Sequence, residues 1–88
     1  MIIDLNKFIS DERPFWTELE GFVERLESDP AFRLDLDQIR RFHYLYQRVS
    51  ADLARIQTFS AEKNLGRYLE ALVGRSYGYI HESRRRTR

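Results

Sequence analysis

Apolar residues recur along residues 36–59 at alternating spacings of three and four, which predicts one buried face of a long amphipathic helix. This apolar line consists of Ile39, Phe42, Tyr46, Val49, Leu53 and Ile56. Leu45 and Phe59 lie beside the line and widen it, so we expect this helix to contact two others at once. Leu53 lies at the middle of the line, and its replacement by alanine is therefore expected to cost about 2 to 5 kcal/mol.

A second apolar line starts after Pro14 and predicts a helix over residues 14–28. Its members are Phe15, Leu19, Phe22 and Leu26. Proline fits the first turn of a helix and disfavours helical geometry in the residue before it. We therefore favour a break at Pro14 over a continuous, kinked helix. The residues before the break then form a short separate helix from Leu5, with Asp4 as its N-cap.

The apolar pattern changes phase around residues 60–64, which indicates a tight connection between two helices. Asp35 is the predicted N-cap of the long helix over residues 36–60, and Ser60 is the predicted N-cap of a last helix over residues 62–84. The short connection predicts that the last helix packs back antiparallel on the long one. The expected fold class is all-α, an antiparallel three-helix bundle with a short additional N-terminal helix.

Ala71, Gly74 and Gly78 place small residues on one strip of the last helix. Each glycine lowers helix stability by about 1 kcal/mol relative to alanine, so a compensating contact is expected. Close approach of another backbone is the expected compensation.

The chain has 88 residues and no cysteine. A chain of this length forms one marginally stable domain, so residues 1–88 are expected to be a single helical domain. The lack of cysteine excludes disulfides and thiolate zinc sites and is typical of a reducing compartment. Residues 1–8 lack the features of a signal peptide, and no apolar run approaches the roughly 18 residues that span a bilayer. We expect this fragment to be soluble and cytoplasmic.

Charge is distributed unevenly along the chain. Residues 1–37 hold ten acids and four bases, whereas residues 38–88 hold four acids and eleven bases. One interpretation is that oppositely charged faces meet inside the bundle. The other is an anionic partner for the second half of the chain.

Catalytic and metal-binding patterns are not found in the sequence. His43 and His81 are far apart, and neither lies beside an acid at metal-ligand spacing. No glycine-rich phosphate loop or nucleophile elbow occurs, and a small three-helix bundle lacks a deep pocket. We therefore expect no metal, no cofactor and no enzymatic activity.

Arg41, Arg48 and Arg55 recur every seven residues and lie in one row on the outside of the long helix. One interpretation is a solvated face on which Asp52 lies at helical spacing from Arg48 and Arg55. The other is a partner surface, because Tyr44 falls opposite the apolar line, and arginine beside exposed tyrosine is typical of protein interfaces. The acidic helix predicted over residues 14–28 is an alternative docking surface. Self-association also stays open, because a second copy is able to complete the wide apolar line.

The chain ends in a basic tail, residues 82–88. Its arginines are Arg84, Arg85, Arg86 and Arg88. These arginines have three interpretations. They stabilise the C-terminal end of a helix through its dipole, they contact nucleic acid, or they lie just cytoplasmic of a membrane span. Nucleic-acid binding needs a wider basic surface than four arginines.

Three segments of the chain resemble the N-terminal region of the stage II sporulation protein M family of integral membrane proteins. The segments are DERPFWTELE from residue 11, RRFHYLYQRVSADLARIQTF from residue 40, and RYLEALVGRSYGYIHESRR from residue 67. None of them is a catalytic motif. The resemblance implies a cytoplasmic helical domain followed by several membrane spans. The family's sporulation members work in a complex that remodels peptidoglycan during engulfment.

These observations predict a non-enzymatic interaction domain, excised from a larger membrane protein, that docks protein partners at the inner face of the membrane. The basic tail is then the part that meets anionic headgroups, and a hydrophobic stretch of about 20 residues is expected to follow Arg88 in the parent protein. A small basic-faced helical domain that binds nucleic acid is the alternative.

Overall fold

Three helices of 24 residues each make up most of the chain. The computed structural model describes the backbone of residues 4–59 and 63–86, and the side chains of residues 4–58 and 63–81. Helix α1 is Leu5–Ser28, α2 is Leu36–Phe59 and α3 is Lys63–Arg86, and no strand occurs in the described ranges. Each helix contacts both others. The predicted all-α helical bundle is therefore confirmed.

The predicted N-caps of α1 and α2 are confirmed. The Asp4 side chain accepts a hydrogen bond from the backbone N–H of Lys7 at 3.1 Å. Asp35 Oδ1 accepts from the Gln38 backbone N–H at 2.8 Å, and Gln38 Oε1 accepts from the Asp35 backbone N–H at 2.9 Å. This reciprocal pair is a capping box, which satisfies two of the unpaired donors at the start of α2. Ser60, the predicted N-cap of the last helix, lies outside the described residues.

The predicted helix break at Pro14 is wrong, because Pro14 lies inside the continuous helix α1. A proline inside a helix leaves the carbonyl four residues earlier without its N–H donor. That residue is Ser10, which is exposed, so water can hydrate its carbonyl. Residues on both sides of Pro14, such as Ile9 and Trp16, pack on the same core and favour one continuous helix. The separate N-terminal helix is not found, since the residues from Leu5 belong to α1.

All three helices contribute apolar side chains to one core. The buried apolar residues are Trp16, Leu19, Val23, Phe42, Leu45, Val49, Ile56, Leu69, Leu72 and Ile80. The most buried line of α2 differs from the predicted one, because Leu45 is fully buried whereas Tyr46 and Leu53 are only partly buried. Since α2 packs against both neighbours, its most buried side chains point between them. Apolar residues to either side of that direction keep some contact with solvent.

The predicted close approach of a backbone at the small-residue strip of α3 is wrong. Ala71, Gly74 and Gly78 are exposed. A Cβ atom added at Gly74 or at Gly78 would have no contact within 4 Å. No packing contact among the described residues therefore offsets the helix-weakening effect of these two glycines.

Candidate functional site

A partly buried ion pair joins α1 to α2. Glu12, on α1, is only 8% exposed. The Arg48 guanidinium on α2 donates from Nε and Nη2 to the two carboxylate oxygens of Glu12, at 2.8 and 2.9 Å. These hydrogen bonds lower the pKa of Glu12 and raise the pKa of Arg48. The two parallel bonds also fix the plane of the guanidinium.

A second bidentate ion pair lies further along the same two helices. Arg41 donates from Nε and Nη2 to Glu18, both at 2.8 Å, and these hydrogen bonds lower the pKa of Glu18. The Glu18 side chain is 38% exposed, against 10% for Glu12. An ion pair this exposed is screened by solvent and contributes little to stability. Its main effect is to hold the Arg41 guanidinium in place.

Two aromatic rings lie between these arginines. The Arg48 Cζ atom is 3.9 Å from the centre of the Phe15 ring, and the Arg41 Cζ atom is 5.4 Å from the centre of the Tyr44 ring. Arg48 Nη1 donates to the Tyr44 hydroxyl at 2.7 Å, and the two rings meet edge to face. Tyr44 remains 43% exposed. We call Phe15, Arg41, Tyr44 and Arg48 the arginine–tyrosine face.

Three of the four residues predicted as a partner surface are joined by these contacts, namely Arg41, Tyr44 and Arg48. Arg55 is exposed, and its charge helps to lower the pKa of Glu12, but it is not one of the residues of the face. The arginine row is therefore more than a solvated surface, because two of its members bind carboxylates of α1.

The interpretation that Asp52 belongs to a solvated face is wrong, because Asp52 is only 1% exposed. Its Oδ2 atom accepts a hydrogen bond from Trp16 Nε1 at 2.9 Å. Burial raises the pKa of Asp52 to about 6, and a hydrogen bond with the Glu12 carboxylate acts in the same direction. Two carboxyl groups and one arginine thus meet inside the α1–α2 contact.

Sequence reasoning missed both the burial of Asp52 on α2 and the α1 members of this site, although the sequence contains a signal for the burial of Asp52. Asp52 continues the three-and-four spacing of Val49 and Ile56, so it falls on a buried line of α2. A tryptophan N–H on another helix is a donor that permits such burial. The glutamates of α1 gave no comparable signal, because several occur on its polar side and only the packing decides which of them reach α2.

Polar contacts also join α1 to α3. Arg75 donates to the two carboxylate oxygens of Glu27 at 3.1 and 2.7 Å, and the Tyr68 hydroxyl donates to Glu20 at 2.5 Å. Glu20 and Glu27, two acids of the helix predicted as the alternative docking surface, therefore already bind side chains of α3. These contacts support the interpretation that the charged halves of the chain meet within the bundle.

Two open grooves and the possible metal ligands are the remaining features of the described residues. Two open grooves lie beside α1, and Ile9 and Arg13 line both of them. Within residues 4–58 and 63–81, no three His, Cys, Asp or Glu side chains form a group that could hold a metal ion. His81 instead hydrogen-bonds the Tyr77 hydroxyl through Nε2 at 2.8 Å.

The basic tail is only partly described. Arg84, Arg85 and Arg86 belong to the last turns of α3, while their side chains and Arg88 lie outside the described residues. Their predicted place beside a membrane stays a prediction. None of the three described helices combines the length and the apolarity needed to cross a bilayer.

A family model described as "Domain of unknown function (DUF8413)" matches residues 6–82. The chain belongs to the DUF8413 family. The match spans the arginine–tyrosine face and the buried Asp52, so both features lie within the DUF8413 domain. Comparisons with curated proteins and with solved structures found no match. Membership of DUF8413 assigns no activity, and the relation to the stage II sporulation protein M family stays a prediction.

Proposed function

We propose that this DUF8413 domain is a non-enzymatic protein-interaction domain that docks a partner protein through the arginine–tyrosine face. The observation that carries the proposal is an exposed tyrosine, Tyr44, held between two arginines that ion pairs have already fixed. Tyrosine and arginine dominate the residues that supply most of the binding energy in protein interfaces. Because Arg41 and Arg48 are ordered before binding, the entropy lost on association is small for this face.

The charge balance of the face favours a protein over a nucleic acid. Arg41 and Arg48 each have a bidentate carboxylate partner on α1, so the surface offers planar guanidinium and aromatic groups with little net charge. Nucleic-acid binding depends on arginines and lysines that neutralise phosphates. Two of the four predicted partner-surface residues are already neutralised, and the nucleic-acid alternative therefore has less support.

We also propose that α1 and α2 run antiparallel to each other. The order of the contacts supports this arrangement, because Glu12 pairs with Arg48 whereas Glu18, later on α1, pairs with Arg41, earlier on α2. In such an arrangement the arginine–tyrosine face lies along one side of two neighbouring helices.

We propose that this domain is part of a longer protein and lies at the cytoplasmic face of a membrane. The support is the basic tail, since anionic headgroups attract each nearby basic side chain by about 1 kcal/mol. The resemblance to the stage II sporulation protein M family points in the same direction. A protein partner at that surface, or a second copy of the domain, would then meet the arginine–tyrosine face.

The test compares two exposed tyrosines on different helices, Tyr44 on α2 and Tyr77 on α3. Tyr44→Ala changes the face, and Tyr77→Ala, at a residue that is 53% exposed on α3, is the matched control. Full-length protein is crosslinked in its own cell, and captured proteins are quantified. We expect Tyr44→Ala to lower capture of a specific partner at least about tenfold, which corresponds to about 1.4 kcal/mol. We expect Tyr77→Ala to leave capture unchanged.

The outcomes separate the alternatives. Equal capture by wild type and Tyr44→Ala, or equal loss in both variants, would contradict docking through this face. Capture that disappears after nuclease treatment and falls steeply with salt would instead support the nucleic-acid alternative.

A further inference from the structure

Two carboxyl groups lie inside the α1–α2 contact, and among the described residues only one of them is hydrogen-bonded to a cation. Glu12 is 8% exposed and binds Arg48 in a bidentate ion pair. Asp52 is 1% exposed and accepts a hydrogen bond from the neutral N–H of Trp16, which lies one helical turn after Glu12. Burial raises the pKa of Asp52, and Glu12 acts to raise it further. We call Glu12 and Asp52 the carboxyl pair.

The groups that face Asp52 come mainly from α1 and α2. From α1 these are Glu12 and Trp16, and from α2 the charge that acts on Asp52 is that of Arg48. Arg55 acts on Glu12. On the α3 side, Tyr68 lines the same groove as Trp16 and donates its proton to Glu20. Among the described residues, one cation is therefore bonded to the pair.

The charges of Glu12, Asp52 and Arg48 balance only when the carboxyl pair keeps one proton. If both carboxyl groups are ionised, the Arg48 charge compensates one of them and a second negative charge stays buried. A buried charge without a partner is strongly unfavourable. If the pair keeps one proton, Asp52 is neutral, its protonated oxygen donates to the Glu12 carboxylate, and the cluster with Arg48 has no net charge.

We propose that Glu12 and Asp52 share one proton and form a pH-sensitive contact between α1 and α2, which is strong while Asp52 is protonated and weakens when Asp52 ionises. The proposal does not depend on the partner of the arginine–tyrosine face. It concerns a regulatory property of the fold, namely the closure of α1 on α2.

The direction of the pH effect follows from the altered pKa values. The pKa of Asp52 is raised from 3.8 to about 6 in the folded chain. The folded state therefore binds more protons than the unfolded state between these values, and stability declines as pH rises through about 6. The lowered pKa of Glu12 acts oppositely, because its contribution is lost when pH falls below the ordinary value of 4.5. The carboxyl pair thus favours the folded state most at mildly acidic pH.

Trp16 is a specific probe of this contact, because it is the chain's only tryptophan and its N–H donates to Asp52. The indole N–H resonance of Trp16 in the whole chain is followed by NMR from pH 3 to pH 8. We expect it to titrate with a midpoint near 6. In Asp52→Asn, whose side-chain oxygen still accepts the indole hydrogen bond, we expect this titration to disappear.

Unfolding in urea gives an independent measurement of the same proton. Between pH 4 and pH 8, the unfolding equilibrium constant of the wild type is expected to rise about 100-fold relative to that of Asp52→Asn. Glu27→Gln, which changes an exposed carboxylate on α1, is the control and is expected to follow the wild-type pH dependence. Glu12→Gln removes the like charge and is expected to lower the midpoint of the indole titration.

Two results would overturn the proposal. One is an indole titration with a midpoint at 4 or below, as for an ordinary aspartate. The other is an Asp52→Asn variant that keeps the wild-type indole titration or has the wild-type dependence of stability on pH.

Discussion

Leu45 and Leu53 lie eight residues apart on α2, and they differ in burial. Leu45 is fully buried, whereas Leu53 is only partly buried. The apolar pattern placed Leu53 at the centre of the buried line and Leu45 beside it. In the structure Leu45 belongs to the buried line and Leu53 lies beside it. The side of α2 that faces the bundle interior carries Val49 and Asp52, and Leu45 continues their three-and-four spacing toward the start of the helix.

This difference in burial predicts that replacement by alanine has a larger effect at Leu45 than at Leu53. Leu45→Ala is expected to lower the free energy of unfolding by about 2 to 5 kcal/mol. Leu53→Ala is expected to lower it by only about 1 kcal/mol, because a partly exposed side chain leaves a smaller cavity when it is shortened. Urea unfolding at constant pH measures both. The exposed Gln47→Ala is the control. A Leu53→Ala effect as large as that of Leu45→Ala would contradict the assignment of the α2 core line.

Local sequence signals predicted where α1 and α2 begin. They did not predict how a proline or a glycine inside a helix is accommodated. The N-caps Asp4 and Asp35 act as predicted. Pro14, by contrast, is tolerated inside α1 because apolar residues on both sides of it pack on one core. Gly74 and Gly78 of α3 are exposed with free space around them, so their presence weakens the helix without a packing reason within the described residues.

This free space predicts stabilisation by alanine. Gly74→Ala and Gly78→Ala are each expected to raise the free energy of unfolding by about 0.5 to 1 kcal/mol, because alanine loses less backbone entropy in a helix and meets no neighbouring atom here. Thermal and urea unfolding measure the change. The converse change Ala71→Gly, on the same exposed strip, should destabilise by a similar amount. Destabilisation by either alanine variant would indicate a close contact at this strip.

At the scale of the whole molecule, ion pairs link α1 to both other helices. Arg48–Glu12 and Arg75–Glu27 are a matched comparison, because the two arginine side chains are 36% and 37% exposed. Their carboxylates differ, with side-chain exposures of 10% for Glu12 and 41% for Glu27. A carboxylate that loses its partner is much more unfavourable when buried than when water can hydrate it.

Removal of the two arginines is therefore expected to have unequal effects. At pH 7, Arg48→Met should lower the free energy of unfolding by about 2 to 4 kcal/mol, and Arg75→Met should lower it far less, because water hydrates the Glu27 carboxylate. Both variants keep a long apolar stem, so the comparison isolates the lost charge and its hydrogen bonds. Urea unfolding at low and high salt measures the difference, which should survive high salt because the Glu12 carboxylate is shielded from solvent ions. Equal losses would show that burial of Glu12 does not matter.

The sequence by itself determined the helical class, two N-caps and the presence of acids and bases in opposite halves. These properties depend on spacings of three and four residues and on side chains that bond their own backbone, so they are local. Only the tertiary structure decided which side of α2 faces the interior, which glutamates reach arginines, and that Asp52 is buried against Trp16. A helical pattern defines a wide apolar face but not the direction of its neighbours, and the pKa of a carboxyl group depends on the groups that those neighbours bring to it.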